Sequence, residues 1–352
     1  MEIARLGCAL ERIYCVGVQD SSHTAEARRV ATELAASLAF SETEAGNIAL
    51  IVTEAAKNLL KHAGGGDLIL RALDRDGQPA VEMLAVDKGP GIEDIGRSFQ
   101  DGYSTCGTPG TGLGAIARLS SHHEIYSQPR KGTALLAQIG RRTARSHHPA
   151  QGAGRFRIGA VSVAMSGQPV CGDAWSFLEH SGNSARLVVA DGLGHGLLAA
   201  DAARMAVQTA RERPSESGDA LMDRIHAALR PTRGAAVAVA EMDSSRGILH
   251  FTGIGNIAAA LIPPEGPARH LVSHPGTAGH EVHKIAGFTY PWEPGSLLVM
   301  HSDGLGTHWS LDRYPGLPAR HPSLIAGVLY RDFSRRRDDT TVVVLQDVGG
   351  TA

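Results

Sequence analysis

Long apolar runs are missing from this sequence. No stretch of about 18 apolar residues occurs, so no segment is expected to span a membrane. Glu2, Arg5, Glu11 and Arg12 interrupt the first residues and leave no signal-peptide core. Charge of one sign is also missing. A net charge of −2 excludes a general polyanion binder, and no nucleic-acid partner is expected. Cysteines are few. Cys8, Cys15, Cys106 and Cys171 form no CxxC pair and no metal-ligand spacing. Reduced thiols in a cytoplasmic protein follow from that usage. The 17 histidines form no HExxH, and no GxxxxGK[ST], GxSxG or reactive-cysteine motif is present.

What is present suits two cores. The 352 residues are 43% apolar and 20% charged, enough for two domains of ordinary size. Residues 141–154 are Gly/Pro/polar, mildly basic and without apolar period, which marks a linker. The expected division is 1–140, linker 141–154, and 155–352.

In the first half, Val30, Leu34 and Leu38 line one face of a helix over 25–38. Ser41-Glu42-Thr43-Glu44 reads as a capping box that opens a second helix, closed after Ala63 by Gly64-Gly65-Gly66. Its apolar stripe is Ile48, Ile51, Val52, Ala55 and Leu59. A polar stripe, Glu54, Asn58 and His62, recurs at four-residue spacing and stacks on one side. Strands follow at 68–73 and 80–86, joined at Asp76-Gly77. The second strand runs into Asp87-Lys88-Gly89-Pro90-Gly91. Gly107 to Gly114 is glycine-rich and enters a helix at 115–119. Free N–H groups and the helix dipole at such a place suit a phosphate. The stretch Gly110 to Ala115 fits GxGxxA, but no strand precedes it, so a dinucleotide fold is excluded. Strands at 124–127 and 133–139 complete this half.

In the second half, the apolar strand 187–190 delivers Asp191, followed by Gly192-Leu193-Gly194-His195-Gly196. Asp173 follows Cys171-Gly172. Asp303 follows the apolar strand 296–301, and Asp338-Asp339 precedes a strand at 341–345. Each Asp taken alone suits an ordinary turn. Four such carboxylates at strand ends, beside Gly or another Asp, suit hard divalent cations. Further strands at 156–165, 170–178, 235–242, 247–252 and 257–262, with helices at 197–211, 219–229 and 324–333, suit two packed sheets with helices outside.

The ordered set Glu54…Asn58, Asp87xGly89xGly91, Gly110-Thr-Gly112-Leu-Gly114 and Gly132-Thr133 resembles the GHKL ATPase superfamily. Within it the chain looks like the small bacterial switch-protein serine kinases of the anti-sigma-factor group. The second half resembles the SpoIIE-like branch of the type 2C metal-dependent protein phosphatases, through Gly172-Asp173, Asp191 to Gly196, Gly253-Ile-Gly255-Asn256, Ser302-Asp303-Gly304 and Asp338-Asp339-x-Thr341. The resemblance implies an α+β protein of two domains, a GHKL-type α/β sandwich and then a phosphatase β-sandwich flanked by helices.

The first resemblance implies ATP and Mg²⁺ as cofactors of the amino half. Asn58 would hold the Mg²⁺ and Asp87 the adenine amino group. Gly89, Gly91, Gly110, Gly112 and Gly114 would shape pocket and lid, and Thr133 would assist at the adenine. Glu54 would be the general base toward a partner's Ser or Thr, or would only orient. The second resemblance implies two Mn²⁺ or Mg²⁺ ions. Asp191 and the Gly192 carbonyl would bind them with Asp173, Asp303 and Asp338. In larger relatives an arginine near the domain start holds the phosphate, and neither Arg155 nor Arg157 is singled out for that job. His195 is open between the leaving group and a helix cap, and Asn256 suits a turn. The implied partners are a phosphorylated STAS-type antagonist or scaffold protein and a sigma factor. A homodimer through either half is compatible with the sequence, and no heptad repeat selects one. The implied function is partner switching. The rival is a phosphatase whose first domain only sequesters its partner.

Overall fold

In the computed structural model, residues 13–75, 78–98, 112–140, 154–180 and 183–349 are described below. They fall into two compact units. One consists of Glu11–Gly152 with Tyr314–Arg331, the other mainly of Ala153–Arg313 with Asp332–Ala352.

The first unit begins with β1 (Ile13–Val18), α1 (Ser21–Ser37) and α2 (Glu42–Ala63). The expected capping box is formed: Ser41 Oγ accepts from the Glu44 N–H, and Glu44 reaches back to Ser41. Gly64 ends α2 at φ 72, a left-handed cap. After these come β2 (Gly66–Arg75), β3 (Gln78–Val86), α3 (Ile95–Ser98), α4 (Gly112–Leu119), β4 (His122–Ser127) and β5 (Thr133–Gly140). The sheet order is β1-β2-β3-β5-β4, antiparallel throughout. Side-chain alternation turns Leu68, Leu70, Val81, Met83, Leu135 and Ala137 toward one core. Ile48, Ile51, Val52 and Ala55 of α2 and Val30 and Leu34 of α1 join them there. Strand β1 is absent from the sequence reading. Only Val16 and Val18 of it are buried, too short a signal to separate an edge strand from a loop.

The second unit is built from β6 (Phe156–Val163), β7 (Asp173–Glu179), β8 (Ser184–Gly192), α5 (Leu197–Glu212), α6 (Gly218–Leu229), β9 (Ala235–Asp243), β10 (Ile248–Ile254) and β11 (Ala258–Ile262). The short β12 (Arg269–His270) and β13 (Phe288–Pro291), then β14 (Leu297–His301), α7 (Pro322–Phe333) and β15 (Thr340–Asp347) complete the chain. Two five-stranded antiparallel sheets result, β13-β10-β9-β8-β7 and β12-β11-β14-β15-β6. Leu187, Val189, Phe251 and Trp292 meet Met300, Val343 and Leu345 in the core between them. Val188, Ala190, Val237 and Val239 turn the other way, onto α5 and α6. This is the expected sandwich with helices outside.

The tertiary division differs from the expected 155–352 in one segment. Tyr314–Arg331, which carries most of α7, belongs to the first unit. There Ser323 Oγ donates to Glu82, whose carboxylate also pairs with Arg71 at 2.6 Å and accepts from Gln138 Nε2. Burial alone would raise the Glu82 pKa. The Arg71 charge and these hydrogen bonds overcome it and hold the carboxyl at about 2. Helix α7 is buried on all sides, including Leu324, Ile325, Val328 and Leu329, so its sequence period does not say which sheet face it covers.

Candidate active sites

The long α2 carries the first site. Glu54 and Asn58 share its polar face, and Gly112 at the start of α4 lies over both. A Cβ at Gly112 would stand 3.1 Å from Glu54 Oε2 and 3.6 Å from Asn58 Oδ1. Glu54 Oε1 also takes the Lys57 ammonium at 2.9 Å. His62 follows Glu54 by eight residues, about 12 Å along the helix. Its pKa is lowered by burial and pulled the opposite way by the Asp87 charge, which places it near that carboxylate.

Asp87 follows β3 directly. Its Oδ1 accepts the Gly89 N–H at 2.8 Å and the Thr133 N–H at 3.2 Å, which fixes the carboxyl. Burial raises its pKa. The backbone here approaches too closely for side chains. At Gly132 (φ 83) a Cβ would lie 1.9 Å from the Asp87 carbonyl oxygen. At Gly89 it would lie 2.6 Å from the Ala63 Cβ. Thr133 Oγ1 and Ser127 Oγ share a 3.1 Å hydrogen bond, and Ser127 Oγ accepts from the Ile92 N–H. Ser127 thus joins the loop of Gly91 to Thr133, a role the sequence reading did not give it. Gly114 is buried in α4. Gly110 lies outside the described residues. The structure brings Glu54, Asn58 and Gly112 together at one place, and Asp87, Gly89, His62 and Thr133 at the next.

The second site stands at one end of the sandwich. Asp173 opens β7 and Asp191 sits near the end of β8, directly opposite in register. The Gly192 N–H donates to the Gly172 carbonyl at 3.2 Å. A Cβ at Gly192 would meet the Ala199 carbonyl at 2.0 Å, so glycine admits the first turn of α5. Asp303 follows β14, and Asp338 and Asp339 precede β15, strands paired side by side. Four carboxylates therefore converge from both sheets. Burial pushes Asp191 up to about 9, helped by the charges of Asp173, Asp303 and Asp338. Burial likewise raises Asp173 to about 7, against hydrogen bonds from Ser302 and Thr341. Asp303 is raised by burial and by Asp338.

This donor set fits hard divalent cations. The carboxylates repel one another, and Asp173 Oδ1 is buried without a hydrogen-bond partner. Among the described residues, no three His, Cys, Asp or Glu side chains meet at metal-coordinating spacing. Neighbours hold several of the oxygens: Ser302 Oγ on Asp173 Oδ2 at 2.7 Å, Asn256 Nδ2 on Asp303 Oδ2 at 2.7 Å, and the Asp339 N–H on Asp338 Oδ1 at 2.9 Å. The two observations are compatible, because Mg²⁺ binds through one or two carboxylates and keeps several waters.

Several residues gain roles from this geometry. Ser302 and Thr341 fix Asp173, and Asn256 fixes Asp303, beyond the turn expected for it. Asp339 accepts the Met165 N–H with Oδ1, while its buried Oδ2 has no partner. The paired aspartates of Asp338-Asp339 are the sequence signal for this residue, to which the resemblance assigns no role of its own. The cap of α5 is Gly196 with no side-chain hydrogen bond, so His195 does not cap the helix. Arg155 is bound to Asp347 at 2.9 Å, at the other end of β15. Arg157 pairs with Gln346, six residues along β6 from Val163, or about 20 Å. Neither arginine reaches the carboxylates.

The comparisons with known proteins match the two halves of the chain separately. The family described as "Histidine kinase-like ATPase domain" matches residues 18–139. "Stage II sporulation protein E (SpoIIE)" matches residues 181–346. The serine/threonine-protein kinase RsbT of Bacillus subtilis (strain 168) is 30% identical over 123 residues, 35% of this chain and 92% of RsbT. The phosphoserine phosphatase RsbX of the same organism is 26% identical over 139 residues, 40% of this chain and 69% of RsbX. A solved chain described as "The bacterial stressosome: a modular system that has been adapted to control secondary messenger signaling" superposes with a TM-score of 0.52 and 25% identity. It covers 55% of this chain and 100% of its own. No helix among the described residues is long and apolar enough to cross a membrane. RsbT is matched over nearly its whole length, and the phosphatase match follows it in the same chain. The chain therefore belongs to the bacterial switch-kinase group of histidine kinase-like ATPases, fused to a SpoIIE-like serine/threonine phosphatase domain of the type 2C class.

Proposed function

We propose that this chain is a bifunctional partner switch. The amino-terminal domain phosphorylates a Ser or Thr of a STAS-type antagonist or scaffold protein, and the carboxy-terminal domain hydrolyses phosphoserine or phosphothreonine on it or a relative. The observation that carries this reading is that both sites are assembled in one chain: Glu54 and Asn58 beneath Gly112, and four aspartates at one end of the sandwich.

In the first site Glu54 takes the proton of the attacking hydroxyl, as phosphoryl transfer requires an oriented nucleophile. Asn58 holds Mg²⁺, and Asp87 accepts the adenine amino group. Gly89, Gly91, Gly110, Gly112 and Gly114 allow the chain to wrap the nucleotide. In the second site Asp191, the Gly192 carbonyl, Asp173, Asp303 and Asp338 hold two Mn²⁺ or Mg²⁺ ions. Bound there, the cations supply Lewis-acid catalysis and neutralise the phosphate. Ser302, Thr341 and Asn256 orient the ligands. The protein works in the cytoplasm, where a sigma factor is the downstream partner.

The rival is a phosphatase with a sequestering ATP-binding domain. It draws on the Lys57–Glu54 ion pair, which occupies one oxygen of the proposed base. The test uses Asp191→Asn, so that hydrolysis cannot erase the product. Partners are captured from the native cytoplasm and incubated with γ-labelled ATP and Mg²⁺. Label on a Ser or Thr that disappears with Glu54→Ala supports the kinase. Bound ATP without label supports sequestration.

A further inference from the structure

Four aspartates balance the two divalent cations proposed for the phosphatase centre, which leaves the charge of an incoming phosphate dianion to be met by further groups. A cationic side chain beside the aspartates is therefore expected. Arg155 is committed to Asp347, and Arg157 lies far along β6. We infer that Arg233 binds the phosphoryl group of the substrate.

Three observations place it. First, β9 pairs with β8 so that Ala236 stands opposite Asp191 and Ala235 opposite Gly192. The chain just before β9 continues along the loop after Asp191, where the Leu193 N–H donates to the Gly234 carbonyl at 3.0 Å. Second, the Arg233 guanidinium lies over that loop. Its Nη1 is 3.1 Å from where a Cβ would stand on Gly194. Third, the turn is rigid. Thr232 Oγ1 donates to the Leu229 carbonyl at 2.7 Å and accepts the Gly234 N–H at 3.0 Å. Gly234 adopts φ 78, where a Cβ would crowd the Ala278 carbonyl at 2.7 Å.

The charge of Arg233 is uncommitted. It is exposed, and no carboxylate lies within ion-pair distance of it among the described residues. Among the other cations near the aspartates, Arg335 already acts on Asp303 and opposes the rise in its pKa. Guanidinium donors match phosphate oxygens in pairs, and two parallel charge-assisted bonds orient as well as attract. Glycine at 194, with φ 90, leaves the space in which that side chain lies.

The inference rests on the phosphatase reading, so its test separates the two. Hydrolysis of p-nitrophenyl phosphate in Mn²⁺ is compared for the full-length wild type, Arg233→Ala, Arg233→Lys and the control Arg211→Ala, a half-buried arginine of α5. Inhibition by inorganic phosphate and Mn²⁺ affinity by calorimetry are measured alongside. With Arg233→Ala, KM and the inhibition constant for phosphate rise about 10-fold or more, with Mn²⁺ affinity unchanged. Arg233→Lys recovers part of the loss, and Arg211→Ala matches wild type. Unchanged KM and phosphate inhibition in Arg233→Ala, with an active wild type, overturn the inference alone. A folded, Mn²⁺-bound wild type without hydrolysis overturns the phosphatase reading and the inference with it.

Discussion

Ser302 Oγ donates to Asp173 Oδ2 at 2.7 Å and accepts the Thr341 N–H at 3.0 Å, all three residues being buried. One hydroxyl thus ties the first strand of one sheet to the last strand of the other, at the place where the carboxylates converge. Ser302→Ala removes a donor that favours the charged form of Asp173 against the effect of burial. Groups that orient ligands in this way are typically worth 10- to 100-fold in metal affinity or activity. We expect a loss of about that size in Mn²⁺ affinity by calorimetry, with phosphate hydrolysis falling in parallel.

Divalent cations should stabilise the protein. At about 100 times its dissociation constant, a ligand confined to the native state adds about 2.7 kcal/mol. Thermal scans in Mg²⁺ or Mn²⁺ against EDTA should show a Tm gain of several degrees that Asp191→Asn removes. An equal gain in the variant would place cation binding elsewhere.

Arg155 and Arg233 should separate stability from catalysis. Arg155 binds Asp347, which also accepts from Trp292 Nε1 and Ser244 Oγ. Arg155→Ala leaves a buried carboxylate with fewer donors, a cost of about 1–3 kcal/mol. Urea unfolding should register that loss while KM stays at its wild-type value.

Glu82 gives the first unit an acid-sensitive contact. Its folded pKa of about 2 lies below the ordinary 4.5. The stability it contributes is complete above 4.5 and is lost as the pH falls through about 2. Glu82→Gln leaves Arg71 buried without its charge partner, at about 3–5 kcal/mol. Urea midpoints should show the largest gap between wild type and variant near neutral pH, with the gap closing in acid.

Asp87 should be required for nucleotide binding as well as local order. Asp87→Ala removes the acceptor shared by Gly89 and Thr133. Titration with a fluorescent ATP analogue should show binding weakened by about 10-fold or more. Gly132→Ala should lower the melting temperature sharply, because a Cβ there overlaps the Asp87 carbonyl.

Most of the helices and strands, and the residues that supply charge, are legible in the sequence, whereas the edge strand β1 and the short β12 and β13 are not. The capping box at Ser41 and Glu44, the polar stripe of α2 and the aspartates at strand ends are local patterns, written in a few consecutive residues. Helix period, strand alternation and turn chemistry act over that range, so they are legible without a fold. Tertiary structure alone decided which side chains meet. Ser302 lies 129 residues from Asp173, and Asn256 lies 47 from Asp303. It also decided that Tyr314–Arg331 joins the first unit, that Arg155 serves Asp347, and that Arg233 leans over Gly194. Those outcomes depend on strand register and packing between distant segments. A serine hydroxyl or a guanidinium has no sequence period that announces its partner; its position is set when the sheets pair.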